Sequence, residues 1–404
     1  MKMIEKIRWY TVSLERNICG ITSVVLMPVV FLIAFLSRFS KRKYDVGLGP
    51  QPLINNIYFK KALESQGYSA QTYVTSLYYI SHDFDCIMIN GLYRRMPILR
   101  LFPVLFKYRC LYLYFDGGVL ANRKVYRHLE AIIYKVAGIK TVVMPYGSDC
   151  TIPERSSDFC FHHTLFQDYA HFYKTCHDRV VWRVGYWCRY ADAVIAYADY
   201  IEYLPYWNYV KNSILCVDLE RLKPSPDFRF NMGKTVHIVH APNHMAMKGS
   251  AFIEDAIRRL TEEGYAIQYD CLHGKSNAEV LKTVESADIV VDQLIIGWHG
   301  IFAVEAMAFG KPVIARTRED LRKAYEEMGC LNKGEVPMID ASPTTIYDVL
   351  KNLLDHPETW KEIGEKSRAY VEKRHSIEAI GKYFDEINRN TGITPKVERM
   401  VQVE

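Results

Sequence analysis

The chain has no Cys-x-x-Cys pair, although it carries ten cysteines in 404 residues. With irregular gaps between them, neither a zinc ribbon nor a redox dithiol is written into the sequence, and reduced, mostly buried thiols are the expectation. Cys160, His162 and His163 stand close together, but adjacent histidines do not share a helical face, so no metal is expected. A charge excess is missing too from most of the chain. Residues 1–43 hold eight Lys and Arg against two Glu, which leaves 43 basic against 44 acidic residues in the rest. A body so evenly balanced argues against nucleic acid as a partner, because phosphate backbones are held by a surplus of Lys and Arg. Internal repeats and low-complexity tracts are also absent, so the chain does not read as a solenoid or a disordered linker.

What is present fits two domains of ordinary size, each with its own core. In the second half, apolar runs that read as strands lie at 236–240, 266–272, 312–315 and 336–339, and helical patterns lie at 277–286, 321–328, 344–354, 357–374 and 376–388. This alternation predicts βαβ units and a parallel sheet. The first half is more aromatic. Strands are expected at 86–89, 111–115, 140–144 and 193–196, with a short strand and glycine turn at 45–55 leading into a helix over 56–66.

Asn17 to Ser37 is a run of 21 uncharged residues, which as a helix spans roughly 30 Å, about the hydrocarbon core of a bilayer. It is a membrane segment by length. Four basic residues flank it on each side, Lys2, Lys6, Arg8 and Arg16 before and Arg38, Lys41, Arg42 and Lys43 after, so the charge rule selects no orientation. Pro28 near its middle also allows a bent, re-entrant segment, and a globular core helix is the remaining alternative. Tyr93 to Arg109 carries five basic residues and no acidic one among apolar side chains. It reads either as a strip lying on an anionic surface or as a core-packed connection with its charges in solvent.

The densest chemistry lies between Asp292 and Ala315, read as a strand, a loop with Gly297 and Gly300, a short helix with Glu305 on its first turn, and another strand. A helix start offers unpaired N–H groups and a positive dipole end, which suits a phosphate. Glu305 is better used as an acceptor for neutral hydroxyls such as those of ribose. Upstream, His240-Ala-Pro-Asn243-His244-Met245-Ala-Met-Lys248-Gly249 joins a β-branched run to an amphipathic helix, which puts Lys248 at a strand-to-helix junction.

Glu305-Ala-Met-Ala-Phe-Gly310-Lys-Pro312-Val-Ile314 resembles the donor-site signature of retaining glycosyltransferases of the GT-B fold, and most that of glycosyltransferase family 4. The resemblance implies an α/β architecture of two facing Rossmann-like domains with parallel sheets. It assigns ribose binding to Glu305, and diphosphate binding with leaving-group stabilisation to Lys248. Gly297 stands where the family has a first Glu, and Asn243, His244 and Met245 stand where it has an Arg. With Gly297 there, the donor sugar falls to the backbone N–H groups of Gly300 and Ile301, with His299 as a side-chain donor. The loop containing Gly49 is expected to approach donor sugar and acceptor. Pro145-Tyr-Gly-Ser-Asp149 resembles a cleft-facing loop of relatives, which makes Asp149 a sugar or acceptor contact unless it only caps its own turn.

The expected organisation is a hydrophobic membrane segment at 1–43, an acceptor domain at 44–230, a nucleotide-sugar domain at 231–390 and a tail at 391–404. The expected activity is retaining transfer of a sugar from a nucleotide diphosphate sugar to a lipid-linked or cell-surface glycan. No separate cofactor or metal is required, and the protein is expected at a membrane with its catalytic domains facing the cytoplasm, where nucleotide sugars are found. A non-catalytic nucleotide or glycan binder, and a nucleotide-sugar epimerase of the same fold, are the alternatives.

Overall fold

The structure, a computed structural model, describes residues 25–78, 82–121, 126–228, 230 and 235–396. Seven strands form the first sheet: β1 (Tyr44–Leu48), β2 (Ala70–Val74), β3 (Cys86–Ile87), β4 (Tyr108–Tyr114), β5 (Lys140–Met144), β6 (Ala193–Ala196) and β7 (Tyr209–Val210). Four form the second: β8 (Val236–His240), β9 (Ile267–Cys271), β10 (Ile289–Val291) and β11 (Val313–Ile314). Every pairing between them is parallel. The central strands are buried along nearly their whole length, which is why they read as unbroken apolar runs such as Thr-Val-Val-Met in β5.

The strand orders are β3-β2-β1-β4-β5-β6-β7 and β11-β10-β8-β9. In the first sheet the chain builds outward one way from β1 and the other way from β4; in the second the same divergence lies between β8 and β10. Loops leaving neighbouring strands in opposite directions open a crevice at their carboxyl ends, and each sheet has one.

Several elements fall where residue spacing puts them. Ile253, Ala256, Ile257 and Leu260 are the buried face of helix Ser250–Glu262, and helix Asn277–Ser286 begins at a capping box between Ser276 and Glu279. The strand expected at 336–339 is reduced to one bridge between Ile314 and Ile339. The long helix Ala170–Tyr190 and β2 are elements that apolar periodicity did not single out. Helix Ile377–Asn390, grouped by its position in the chain with the second unit, instead packs on helix Asn55–Ser65 of the first. Phe384 sits edge-on to Phe59 and Tyr112, both at 5.2 Å, and the close approach of Gly381 to the Ala62 carbonyl leaves no room for a larger residue. Such ring pairs add about 0.5–1.5 kcal/mol each beyond the area they bury. The first residues of the expected tail are also tied down, since Thr394 accepts from Arg109 and the Lys396 N–H donates to Asp45.

Of the apolar N-terminal run, residues 17–24 lie outside the described residues, as do 1–16. Residues 25–37 form a helix. No helix among the described residues is long and apolar enough to cross a membrane, and the first part of the expected spanning segment lies outside them. Val30 and Ala34 are buried in the core, while Val25, Leu26, Val29, Leu32, Phe35, Leu36 and Phe39 stay exposed. In the 93–109 strip, Leu101, Val104 and Leu105 are buried, Arg100 donates to the Met88 carbonyl and Arg109 pairs with Asp45. The core-packed reading describes that strip, with Leu92, Met96 and Phe106 left on its surface.

Candidate active site

The second crevice is built from the ends of β8 and β10. Lys248 ends the single helical turn after β8, where Gly249 takes a left-handed conformation (φ 75°) before the next helix starts. Its Nζ lies 2.5 Å from Asp292 Oδ1, just past β10, and the other oxygen of Asp292 accepts the Gly300 N–H at 2.9 Å. One carboxylate, fully buried, thus ties the β8 loop to the start of helix Ile301–Ala308. An ammonium has three N–H groups, so Lys248 can hold Asp292 and still turn toward a phosphate. The N–H groups of Ile301, Phe302 and Ala303 have no acceptor within their helix, and the dipole there favours negative charge.

Glu305 stands one turn into that helix rather than on its first turn. It is buried, and Oε1 accepts from Asn277 at 3.0 Å and from the Tyr58 hydroxyl of the first half at 3.3 Å. Burial pushes its carboxyl up to about 7, opposed by those two hydrogen bonds and by the charge of Arg221. Among the described residues Oε2 has no hydrogen-bond partner, so the group retains an acceptor for a hydroxyl.

The glycines and His299 have other reasons for their places. A Cβ on Gly297 would lie 2.2 Å from Cδ of Arg318, so the stem of Arg318 occupies the space that a side chain at 297 would need. The guanidinium of Arg318 is pinned by Glu202, Ser157 and Asp320, so that stem does not swing aside freely. Gly297 is therefore a glycine that packing requires. The Gly300 N–H donates to Asp292, which corrects its expected role as a sugar donor, while the Ile301 N–H has no acceptor within its helix. His299 is buried, with its ring 5.5 Å from that of His375 and 6.5 Å from Tyr370, and neither ring nitrogen is bonded. Burial pulls its pKa down to about 3. At 4% exposure, His299 presents almost no surface to a ligand.

The first crevice opens between the loops after β1 and β4 and holds a cavity of about 550 Å³. Pro50 to Leu53, Asp116, Gly117, Tyr146 and Ser148 line it from the first half, and Asn243 and His244 from the second. Those two residues thus lie where the crevices meet, and His244 Nδ1 is 3.1 Å from the Tyr169 hydroxyl. Burial, with Lys248 and His273 nearby, lowers the pKa of His244. Gly49 precedes this loop but serves packing, because a Cβ there would meet the Tyr73 carbonyl at 2.0 Å.

Asp149 is not a cleft side chain. It is fully buried, and its oxygens accept the N–H groups of Phe115, Tyr146 and Gly147 at 2.8–3.0 Å. Burial and the nearby Asp116 push its carboxyl up to about 7. It holds the Tyr146–Ser148 turn in shape, and that turn reaches the cavity. Sequence reasoning gave no role to Tyr58, Asn277, Asp292 and Arg318, of which Tyr58 and Asn277 reach Glu305 from 247 and 28 positions away. It also passed over a stripe that spacing does show. On helix Ala170–Tyr190, Arg179, Trp182, Arg183 and Trp187 recur every three or four residues, and all four line the cavity.

No family model matches the chain. A trehalose synthase of Pyrococcus horikoshii is 26% identical over 157 residues, a match covering 39% of this chain and 36% of that relative. Among solved structures, Anabaena HepE in complex with UDP is similar over 86% of this chain and 99% of its own, with a TM-score of 0.51 at 14% identity. Sucrose-phosphate synthase from Thermosynechococcus elongatus is similar over 86% and 98%, with a TM-score of 0.55 at 14% identity. The fold is GT-B, two Rossmann-like sheets whose crevices face each other.

Proposed function

We propose that this protein is a glycosyltransferase that moves a sugar, with retention, from a nucleotide diphosphate sugar to a glycan acceptor. The observation that carries this reading is the placement of Lys248, from the turn after β8, and Glu305 at one helix, Ile301–Ala308, of the second crevice. Lys248 stands at the helix start beside Gly300, and Glu305 one turn further with an oxygen to spare. A diphosphate at the helix start would meet one cation and several N–H groups, which stabilise the charge that develops as the glycosidic bond breaks. Ribose would reach Glu305. The Anabaena protein of the same fold was solved in complex with UDP, which supports a nucleotide as the ligand. Retention rests on the resemblance of residues 305–314 to the family signature.

The acceptor in this proposal is lipid-linked or on a cell surface, and the protein works at a membrane from its cytoplasmic side. The support is the helix over 25–37, which buries one face in the core and leaves an apolar stripe open. Residues 25–43 contain no acidic side chain and end in Arg38, Lys41, Arg42 and Lys43. An apolar stripe beside basic residues suits a helix lying in the surface of an anionic bilayer. Replacing Leu32, Phe35 and Phe39 by Ser is expected to release the protein from phosphatidylserine vesicles while nucleotide binding persists. Equal vesicle binding by that variant would remove the helix from the contact.

A second reading, a nucleotide binder without transferase activity, is motivated by Arg318 filling the place next to Gly297 where the family carries a sugar-binding Glu. A panel of nucleotide diphosphate sugars separates the readings. Release of nucleoside diphosphate from one donor, stimulated by acceptor, is the expected result. Tight nucleotide binding with no turnover on any donor would favour the binder, and turnover to an isomerised nucleotide sugar without acceptor would identify an epimerase.

A further inference from the structure

The cavity at the first crevice has cationic groups that its own carboxylates do not neutralise. Three arginines line it: Arg127, Arg179 and Arg183. Arg183 is spent on the structure, donating to the carbonyls of Asp149 and Ser148 and pairing with Asp116. Asp116 is spent in return, on Arg183 and on the Tyr146 hydroxyl. Glu130, the other carboxyl on the wall, accepts the N–H groups of Gly118 and Leu120 and the Tyr134 hydroxyl. That leaves Arg127 and Arg179.

Neither of these has a carboxylate partner among the described residues. Arg127 lies with its guanidinium carbon 5.2 Å from the centre of the Trp182 ring and donates to the His128 ring. Trp182 is itself stacked on Tyr186 at 5.1 Å, so the guanidinium rests on a fixed platform with its remaining N–H groups open. Arg179 stands one helical turn before Trp182, and among the described residues its one hydrogen bond goes to the Cys176 sulfur. Two guanidinium groups, Arg127 over the Trp182 ring and Arg179 one helical turn before it, thus stand on the wall of a sugar-sized cavity. A planar fork of N–H donors matches the oxygens of a phosphate or carboxylate.

We propose that the acceptor is an anionic saccharide, bearing a phosphate or a carboxylate that Arg127 and Arg179 bind while its ring lies toward Trp182. This rests on the glycosyltransferase reading for the word acceptor, but the binding itself does not require turnover. The anionic group selects the substrate, and the sugar hydroxyls face Asn243 and His244, beside the donor crevice.

Calorimetric titration of the full chain with glucose, glucose 6-phosphate and glucuronate tests it. At least one anionic probe is expected to bind about tenfold or more tightly than glucose, as one charge-assisted hydrogen bond lost or gained implies. The two anionic arms distinguish phosphate from carboxylate. In the double variant Arg127→Gln, Arg179→Gln that preference should vanish, while UDP binding stays as in the parent. Arg127→Lys, Arg179→Lys keeps the charge without the fork and should retain only part of it. Equal binding of glucose and both anions by the parent overturns the proposal, and so does an undiminished preference in the Gln variant. If UDP fails to bind any form, the nucleotide-sugar reading fails separately, and the probe titrations still decide whether an anion site exists.

Discussion

The two crevices share a topology and differ in what their charged groups are free to do. At the second, Asp292 is committed to Lys248 and Gly300, but Lys248 keeps N–H groups and Glu305 keeps an oxygen. At the first, Asp149, Asp116 and Glu130 are all consumed by backbone N–H groups, hydroxyls or Arg183, and the open groups are the arginines. Glu305 and Asp149 make the contrast sharp. Both are buried and both are pushed up to about 7, yet one keeps an unbonded oxygen among the described residues and the other holds a turn. A raised carboxyl alone does not mark a functional group; the count of unused acceptor positions does.

The largest effect should come from Lys248. Lys248→Ala is expected to lower transfer turnover by about 10²- to 10³-fold, the usual loss when one group that stabilises developing charge is removed. Nucleoside monophosphate affinity should change by no more than about twofold, since the lost charge acts on the leaving diphosphate. Steady-state kinetics beside calorimetry measures both, and equal loss in the two would contradict a role confined to the leaving group.

Glu305→Gln and Asp149→Asn should then part in opposite ways. Glu305→Gln is expected to weaken nucleotide binding by about 1.5–3 kcal/mol, the range for hydrogen bonds to a charged group, with the melting temperature held. Asp149→Asn leaves one acceptor oxygen for three N–H groups, so it should cost about 1–3 kcal/mol of stability, read by urea unfolding, with nucleotide affinity preserved. Exchange of those two phenotypes would break the comparison between the crevices.

The smallest effect is the pH dependence. Glu305 is protonated below about 7, and the ionised form is the better acceptor for ribose hydroxyls. Nucleotide affinity should therefore rise with pH and be about tenfold weaker at pH 6 than well above 7. Glu305→Gln should flatten the profile. Stability without ligand runs the other way. A carboxyl whose folded value is raised contributes fully below its ordinary range, and that contribution is lost as pH rises through about 7, for Glu305 and Asp149 alike. A flat affinity profile in the parent protein would place the ribose elsewhere.

What the sequence by itself determined was local. Val236–His240, Lys140–Met144 and Asn277–Ser286 are read at their true limits, because a buried parallel strand and a capped amphipathic helix each carry their signal in consecutive residues. The positions of Lys248 and Glu305 at a strand-to-helix junction and on the helix after β10 were legible for the same reason. Long-range placement decided the rest. Tyr58 reaches Glu305 across 247 positions of the chain, and the stem of Arg318 explains Gly297 from a different loop. For Asp149 the sequence left a cleft contact and a turn cap open, and its bonds to the Tyr146 and Gly147 N–H groups, completed by that of Phe115, make it the cap. Periodicity reports which face of an element is buried. It does not report which polar atoms other segments will already have bonded, and in both crevices that occupancy separates a binding group from a structural one.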